Sequence, residues 1–136
     1  MGHLRTADCS IDRFQVAAFI DTGAESSMGN EALYRMLLRN DPSYVTTRSV
    51  ELTGLTGGTA TGRLLFPRRV DLGRLTLSEC PIAIADLQVF ELWDLTERPA
   101  LVIGMNWLRQ FKRVEIDYGR QDLRFQLSSN GFRINA

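Results

Sequence analysis

Apolar residues fall in short runs separated by polar or glycine-bearing turns, and the period of the pattern changes from segment to segment. Residues 13–20 (RFQVAAFI) form an apolar run that ends abruptly at Asp21-Thr22-Gly23-Ala24, the pattern of a buried strand entering a turn. Asn30 has a side chain suited to capping a helix over residues 31–39, where Leu33, Met36 and Leu37 share one face and Pro42 follows the stop. That spacing assigns the three to the core. From residue 48 the period becomes two. Val50 and Leu52 alternate with polar residues, residues 54–62 (GLTGGTATG) form a glycine- and threonine-rich bend, and residues 64–72 return as a second strand. The expectation is a long hairpin with a glycine-rich tip.

Residues 73–74 turn the chain into a strand over 75–85, and residues 86–99 read as an irregular connection carrying Trp93. Residues 100–103 are a short apolar run closed by Gly104, and residues 106–111 read as one or two helical turns. Val114, Ile116 and Tyr118 then alternate with charged residues, as Leu123, Phe125 and Leu127 do after the turn at 119–121, which predicts a hairpin with one wet face. The picture is one long helix among many strands, with no internal repeat, low-complexity tract or linker.

Length and composition narrow the class. A chain of 136 residues has room for one domain, burying roughly two-thirds of its unfolded surface, which excludes a two-domain enzyme on one chain. Hydrophobic residues at 44% against 24% charged are too many for a disordered chain and too interrupted for a membrane protein. The 16 basic and 16 acidic residues cancel, so charge offers no reason to expect nucleic acid or anionic lipid as a partner. Near-neutral chains also associate easily. Lys112 is the one lysine and no basic block exceeds Arg68-Arg69, so a phosphate-gripping lysine is not expected. Cys9 and Cys80 lack any CxxC spacing and read as small buried thiols. Residues 1–5 have no apolar core like that of a signal peptide, and no run of 18 apolar residues occurs. Membrane insertion by this segment is therefore not expected. Its compartment stays open: cytoplasmic by default, or a soluble part excised from an anchored protein.

Candidate chemistry emerges by elimination. The single histidine, His3, stands near the start of the chain and reads as inert, so a Ser-His or Cys-His pair and a histidine metal site lack their essential member. Residues 54–62 lack the Gly-Lys-Ser/Thr ending of a phosphate loop and precede a strand instead of a helix. Ser26-Ser27 has no elbow motif or base and reads as turn chemistry. No metal and no cofactor are expected. Asp21 remains, a carboxylate at the end of an apolar strand, where burial disfavours the ionised form unless N–H groups or a partner compensate. Two readings are open for it: a functional acid, or a turn-capping aspartate bonding the N–H groups of Gly23 and Ala24. The triplet alone does not decide between them.

The order and spacing of several motifs resemble the retropepsin-like (retroviral-type) aspartic protease family, in particular its bacterial or Ddi1-type single-domain members. An apolar strand enters Asp21-Thr22-Gly23-Ala24, a glycine-tipped hairpin spans 52–65, Leu101-Val102-Ile103-Gly104-Met105-Asn106 opens a short helix, and Val114-Glu115-Ile116-Asp117-Tyr118 leads to a return strand. The resemblance implies a mostly β fold, a small closed β-barrel of the acid-protease type with one or two short helices. It divides the chain into an N-terminal arm (1–13), the protease-like domain (14–127) and a C-terminal tail (128–136).

The resemblance further implies an aspartic endopeptidase active as a homodimer, with Asp21 of each subunit catalytic and a polypeptide substrate bound in extended form. Thr22, Gly23 and Ala24 would support the catalytic loop, with Thr22 reaching across the two-fold axis. Ala24 lacks the hydroxyl that some members carry there, which moves the expected working pH toward neutral. Leu55, Thr56, Gly57 and Gly58 would form a flap over the substrate, against the alternative of a plain solvent hairpin. Ile103, Gly104 and Asn106 would pack under the loop. Met105 stands where some viral members carry an arginine paired with an acidic residue, and Glu25 with Arg109 is a candidate substitute for that pair. Three rival readings stay open: a catalytically silent peptide-binding module, one half of a longer two-lobed protease chain, or a scaffolding dimerisation module.

Overall fold

The structure, a computed structural model, describes the backbone of residues 3–6, 9–53, 59–73, 75–92, 94–117, 122–127 and 133–135, and the side chains of residues 9–52, 61–73, 75–87, 90–92 and 94–110. The first half of the chain comprises β1 (His3–Thr6), β2 (Cys9–Ile11), β3 (Phe14–Gln15), β4 (Ala17–Asp21), β5 (Met28–Gly29), α1 (Glu31–Asn40), a 3-10 turn (Pro42–Tyr44), β6 (Ser49–Thr53) and β7 (Thr59–Leu65). The second half adds β8 (Val70–Leu72), β9 (Leu75–Ser78), β10 (Ile82–Ile84), α2 (Gln88–Leu92), β11 (Ala100–Ile103), α3 (Met105–Leu108), β12 (Phe111–Asp117), β13 (Asp122–Leu127) and β14 (Arg133–Asn135). One sheet has the order β1-β4-β11-β5-β10-β7-β6, a second the order β14-β9-β8-β2-β3, and β12 pairs with β13.

Strand alternation explains why the central segments are apolar throughout. In β11, Leu101 and Ile103 face the main core while Ala100 and Val102 face a second cluster with Phe90 and Leu95; Ala18 and Ile20 of β4 divide from Ala17 and Phe19 in the same way. The main core lies between the two large sheets, with Cys9, Ile11, Val70 and Leu77 from one and Ile20, Ile82 and Leu101 from the other. Helix α1 closes it with Leu33 and Leu37, both 0% exposed. Each such side chain contributes about 1.5–3 kcal/mol through burial. The helix is anchored at its start by Asn30, whose side chain accepts the Leu33 N–H at 2.9 Å. The turn Pro42–Tyr44 follows directly.

Several expectations need correction. The run at 13–20 is two strands, not one. Asp12 and Arg13 adopt φ of 49° and 73° in a tight turn, and buried Val16 carries the chain from β3 in one sheet to β4 in the other. Apolar residues on both sides of that crossing hide it from the pattern. The hairpin's return strand spans Thr59–Leu65, not 64–72, because threonines suit a strand and Pro67 separates β8 from it. Residues 75–85 break at Glu79, with φ of 62°, and Pro81, leaving β9 and β10 in different sheets. The connection at 86–99 contains α2, and the helical turn expected at 106–111 is α3, with Phe111 already in β12. The β12–β13 hairpin pairs Val114 with Phe125 and Ile116 with Leu123; its expected wet face lies outside the described side chains.

Residues before Phe14 supply one strand to each large sheet. β1 runs antiparallel to β4 with His3 opposite Asp21, and β2 puts Cys9 and Ile11 in the core. Both cysteines are buried free thiols; burial, and for Cys9 also the charge of Asp71, pushes each up to about 12. Among the described residues no helix is long and apolar enough to cross a membrane.

Candidate active site

Asp21 is the last residue of β4, half-buried, on the strand face that carries Ala17 and Phe19. The turn after it is closed twice. The Gly23 N–H donates to Asp21 Oδ1 at 2.9 Å, and the Ala24 N–H donates to the Asp21 carbonyl at 3.1 Å. The first bond belongs to the capping geometry, with the carboxylate as acceptor; the second goes to the backbone. Asp21 Oδ2 receives no hydrogen bond among the described residues. Thr22 and Gly23 are exposed, while Ala24 is buried against Phe90 and Leu95.

Parallel pairing of β11 with β4, Ile103 beside Ile20, brings Gly104 under this turn. A β-carbon at Gly104 would stand 2.5 Å from the Ser26 carbonyl oxygen and 2.8 Å from that of Ala24, so only glycine fits without moving the loop. The start of α3 then holds the loop backbone. The Met105 N–H donates to the Ala24 carbonyl at 2.7 Å and the Asn106 N–H to the Glu25 carbonyl at 2.9 Å. Asn106 Oδ1 accepts from the Ser27 N–H at 2.9 Å, the Ser27 hydroxyl at 2.8 Å and the Trp107 N–H at 2.9 Å. The Ser27 hydroxyl in turn accepts the Gly104 N–H at 2.9 Å. Ser27 is 1% exposed and its bond from the Gly104 N–H is buried, where a lost partner is costly. Trp107, fully buried, seats α3 by donating its ring N–H to the Pro81 carbonyl at 2.8 Å.

Glu25 and Arg109 meet above this network in a two-point ion pair, with Nη2 donating to Oε2 at 2.9 Å and Nη1 to Oε1. These hydrogen bonds hold the Glu25 carboxyl below its ordinary value and raise Arg109. On the far side Asn30 does more than cap α1. Its Oδ1 also accepts the Ala100 N–H at 3.0 Å, and its Nδ2 donates to the carbonyls of Leu95 and Arg98 at 2.5 and 2.7 Å, fixing the segment that covers Ala24.

The fold thus brings Asp21, Thr22, Gly23 and Ala24 together with Ile103, Gly104 and Asn106. Leu55, Thr56, Gly57 and Gly58 lie outside the described residues, although the hairpin legs pair up to Thr53 opposite Thr59. Sequence reasoning missed the part played by Ser27. Its partner Asn106 is 79 positions away, and neither periodicity nor a local motif links them; the only available signal is that a lone hydroxyl beside a strand needs an acceptor. Among the described residues no three His, Cys, Asp or Glu side chains are grouped to hold a metal.

Comparison with solved structures supports the same architecture. The chain is similar to a retropepsin-like aspartic protease from Rickettsia conorii, with a TM-score of 0.56 and 18% identity, covering 90% of this chain and 79% of that one. It is also similar to the retroviral protease-like domain of Ddi1 from Leishmania major, with a TM-score of 0.55 and 17% identity, covering 100% and 96%. At these identities the likeness establishes the fold, mostly β with few helices and of the retropepsin type. No curated protein sequence matches the chain. The profile of the aspartyl protease family does match, over residues 7–107, a span that takes in β2, the Asp21 turn and Trp107, and on that match the chain belongs to the aspartyl protease family.

Proposed function

We propose that the protein is an aspartic endopeptidase, active as a homodimer with one Asp21 per subunit. Hydrolysis of a peptide bond by carboxylates needs one ionised group to take a proton from water and a second, protonated, to polarise the scissile carbonyl. One aspartate cannot do both. A two-fold contact supplies the second group from an identical chain. As established for aspartic proteases as a class, two carboxyl groups about 3 Å apart share one proton, and apparent pKa values belong to the pair.

In this reading Thr22 bonds the partner loop across the axis, and Gly23 turns its N–H toward the carboxylates. Ile103, Gly104 and Asn106 hold the loop from below. Leu55, Thr56, Gly57 and Gly58 close over an extended polypeptide and exclude water. The observation that carries the reading is the placement of Asp21 on an exposed turn whose backbone is fixed from beneath by Gly104, Met105 and Asn106. Membership of the aspartyl protease family supports assigning this chemistry to the turn.

The test is incubation of wild type and Asp21→Asn with a peptide library from acid to neutral pH, with sedimentation run in parallel. Cleavage by a wild-type dimer and none by Asp21→Asn is the expected result. Equal cleavage by both, or a monomer that cuts as well as a dimer, overturns the proposal.

A further inference from the structure

A groove that shares no residue with the Asp21 turn or its supports has the chemistry of a second binding surface. It is a cavity of about 270 Å³ between the chain leading into β6 and the chain leaving β7, lined by Tyr44, Val45, Thr46, Arg48, Leu65, Phe66 and Arg68 among others. Tyr44 and Leu65 are buried residues of its lining, 7% and 4% exposed. Val45 and Phe66 are 70% and 42% exposed, and they are two of the four large apolar side chains left exposed among the described residues. Their convergence on one groove sets this place apart from the scattered apolar residues normal on a surface.

The charges point to the ligand. Both ionisable groups that line the groove and carry full charge are guanidinium groups, and no carboxylate lines it. Arg68 is already committed: it pairs with Asp41, donates to the Ser43 hydroxyl at 2.9 Å and lies 5.5 Å from the centre of the Tyr44 ring. Arg48 lies 5.6 Å from the centre of the Phe66 ring and has no carboxylate partner among the described residues. A guanidinium stacked on an aromatic face keeps its N–H edge free for a two-point bond to a carboxylate. The volume suits one or two side chains and falls below that of an ordinary small-molecule site. We infer that the groove beside Arg48, Val45 and Phe66 docks a peptide segment carrying a carboxylate next to an aromatic or aliphatic side chain. The groove lies at the end of the β6–β7 hairpin where Arg48 precedes β6 and Phe66 follows β7, opposite the end at Thr53 and Thr59, and none of its lining residues belongs to the Asp21 turn or its supports. The inference does not depend on proteolysis.

The experiment uses the full chain as Asp21→Asn, so that no peptide is cut, and follows the fluorescence anisotropy of a labelled peptide in which two glutamates flank a phenylalanine. Arg48→Glu should weaken binding about tenfold. Arg39→Glu, the same charge change on the exposed surface of α1, should leave it unchanged. A twin peptide with lysines for the glutamates should bind Arg48→Glu more tightly than it binds the parent. Circular dichroism checks the fold, and Arg48→Gln replaces Arg48→Glu if the latter fails to fold. Equal losses in the Arg48 and Arg39 variants would reveal bulk attraction only and overturn the inference. So would no binding by the parent at millimolar peptide, or a change in sedimentation on Arg48→Glu, which would make a second copy of the chain the occupant.

Discussion

Placing a single methyl group at Gly104 tests whether the loop that carries Asp21 is held as tightly as its contacts imply. The φ of Gly104 is −100°, open to any residue, so the demand for glycine is one of space. The added β-carbon would sit 2.5 Å from the Ser26 carbonyl oxygen and 2.7 Å from its carbon, both backbone atoms with no rotamer to escape into. Restoring an ordinary contact requires the loop and β11 to part by about 0.9 Å. That movement would stretch the 2.7 Å Met105–Ala24 bond and the 2.9 Å bond from Gly104 to Ser27 beyond useful length. Overpacking costs about 1–3 kcal/mol and each weakened bond about 1 kcal/mol. Gly104→Ala should therefore lose about 3–5 kcal/mol, which lowers Tm by about 10–17 °C. Gly73→Ala is the control, since Gly73 has open space around it but a φ of 58°, where a side chain costs about 1 kcal/mol. Urea unfolding followed by circular dichroism compares the two. If Gly104→Ala is no more destabilised than Gly73→Ala, the reasoning about close approach is wrong. In an active dimer the same displacement should cost about a hundredfold in kcat.

Ser27→Ala leaves the buried Gly104 N–H without its acceptor and should cost about 1–3 kcal/mol; a urea midpoint equal to wild type would contradict the network. The Glu25 carboxyl is lowered by Arg109, so its contribution to stability is present above its ordinary value of 4.5 and is lost as pH falls through the lower folded value. Melting curves of wild type and Glu25→Gln should converge in that acid window, and curves that stay parallel through it would remove the pair from the account. Cys9 and Cys80 are raised from 9.0 to about 12, so their contribution is full below pH 9 and fades as pH climbs toward 12. At pH 8 both thiols should resist iodoacetamide in the native protein and react in urea, as read by mass spectrometry; equal rates in the two conditions would place them at the surface.

What the sequence revealed follows the reach of its signals. Asn30 as a helix cap, Leu33 and Leu37 as core, and the run closed by Gly104 are all local patterns, and each stands where its pattern put it. Crossings between sheets were invisible, because Val16 is as apolar as the strands it joins and burial alone does not say in which sheet a residue lies. The site is legible in part for the same reason. Asp21 through Ala24 and Ile103 through Asn106 are compact strings, while the side-chain bond that helps tie them, Ser27 to Asn106, joins two unremarkable polar residues distant in sequence. Glu25 and Arg109 are legible only through the family resemblance, as a substitute for a pair that some viral members carry, and their two-point geometry comes only with the fold. Asn30 shows the limit in one residue: its cap could be read locally, its hold on Leu95, Arg98 and Ala100 could not.

The central place of β11 has a consequence for how the protein is made. It sits between β4 and β5, and pairs with both, yet it comes long after them in the chain. While a ribosome is still adding the preceding residues, two early strands wait with unsatisfied edges, and closing so long a loop is slow. Met105 and Asn106, which clamp the aspartate turn, arrive later still. A nascent chain shorter than this therefore has its acid but no rigid seat for it.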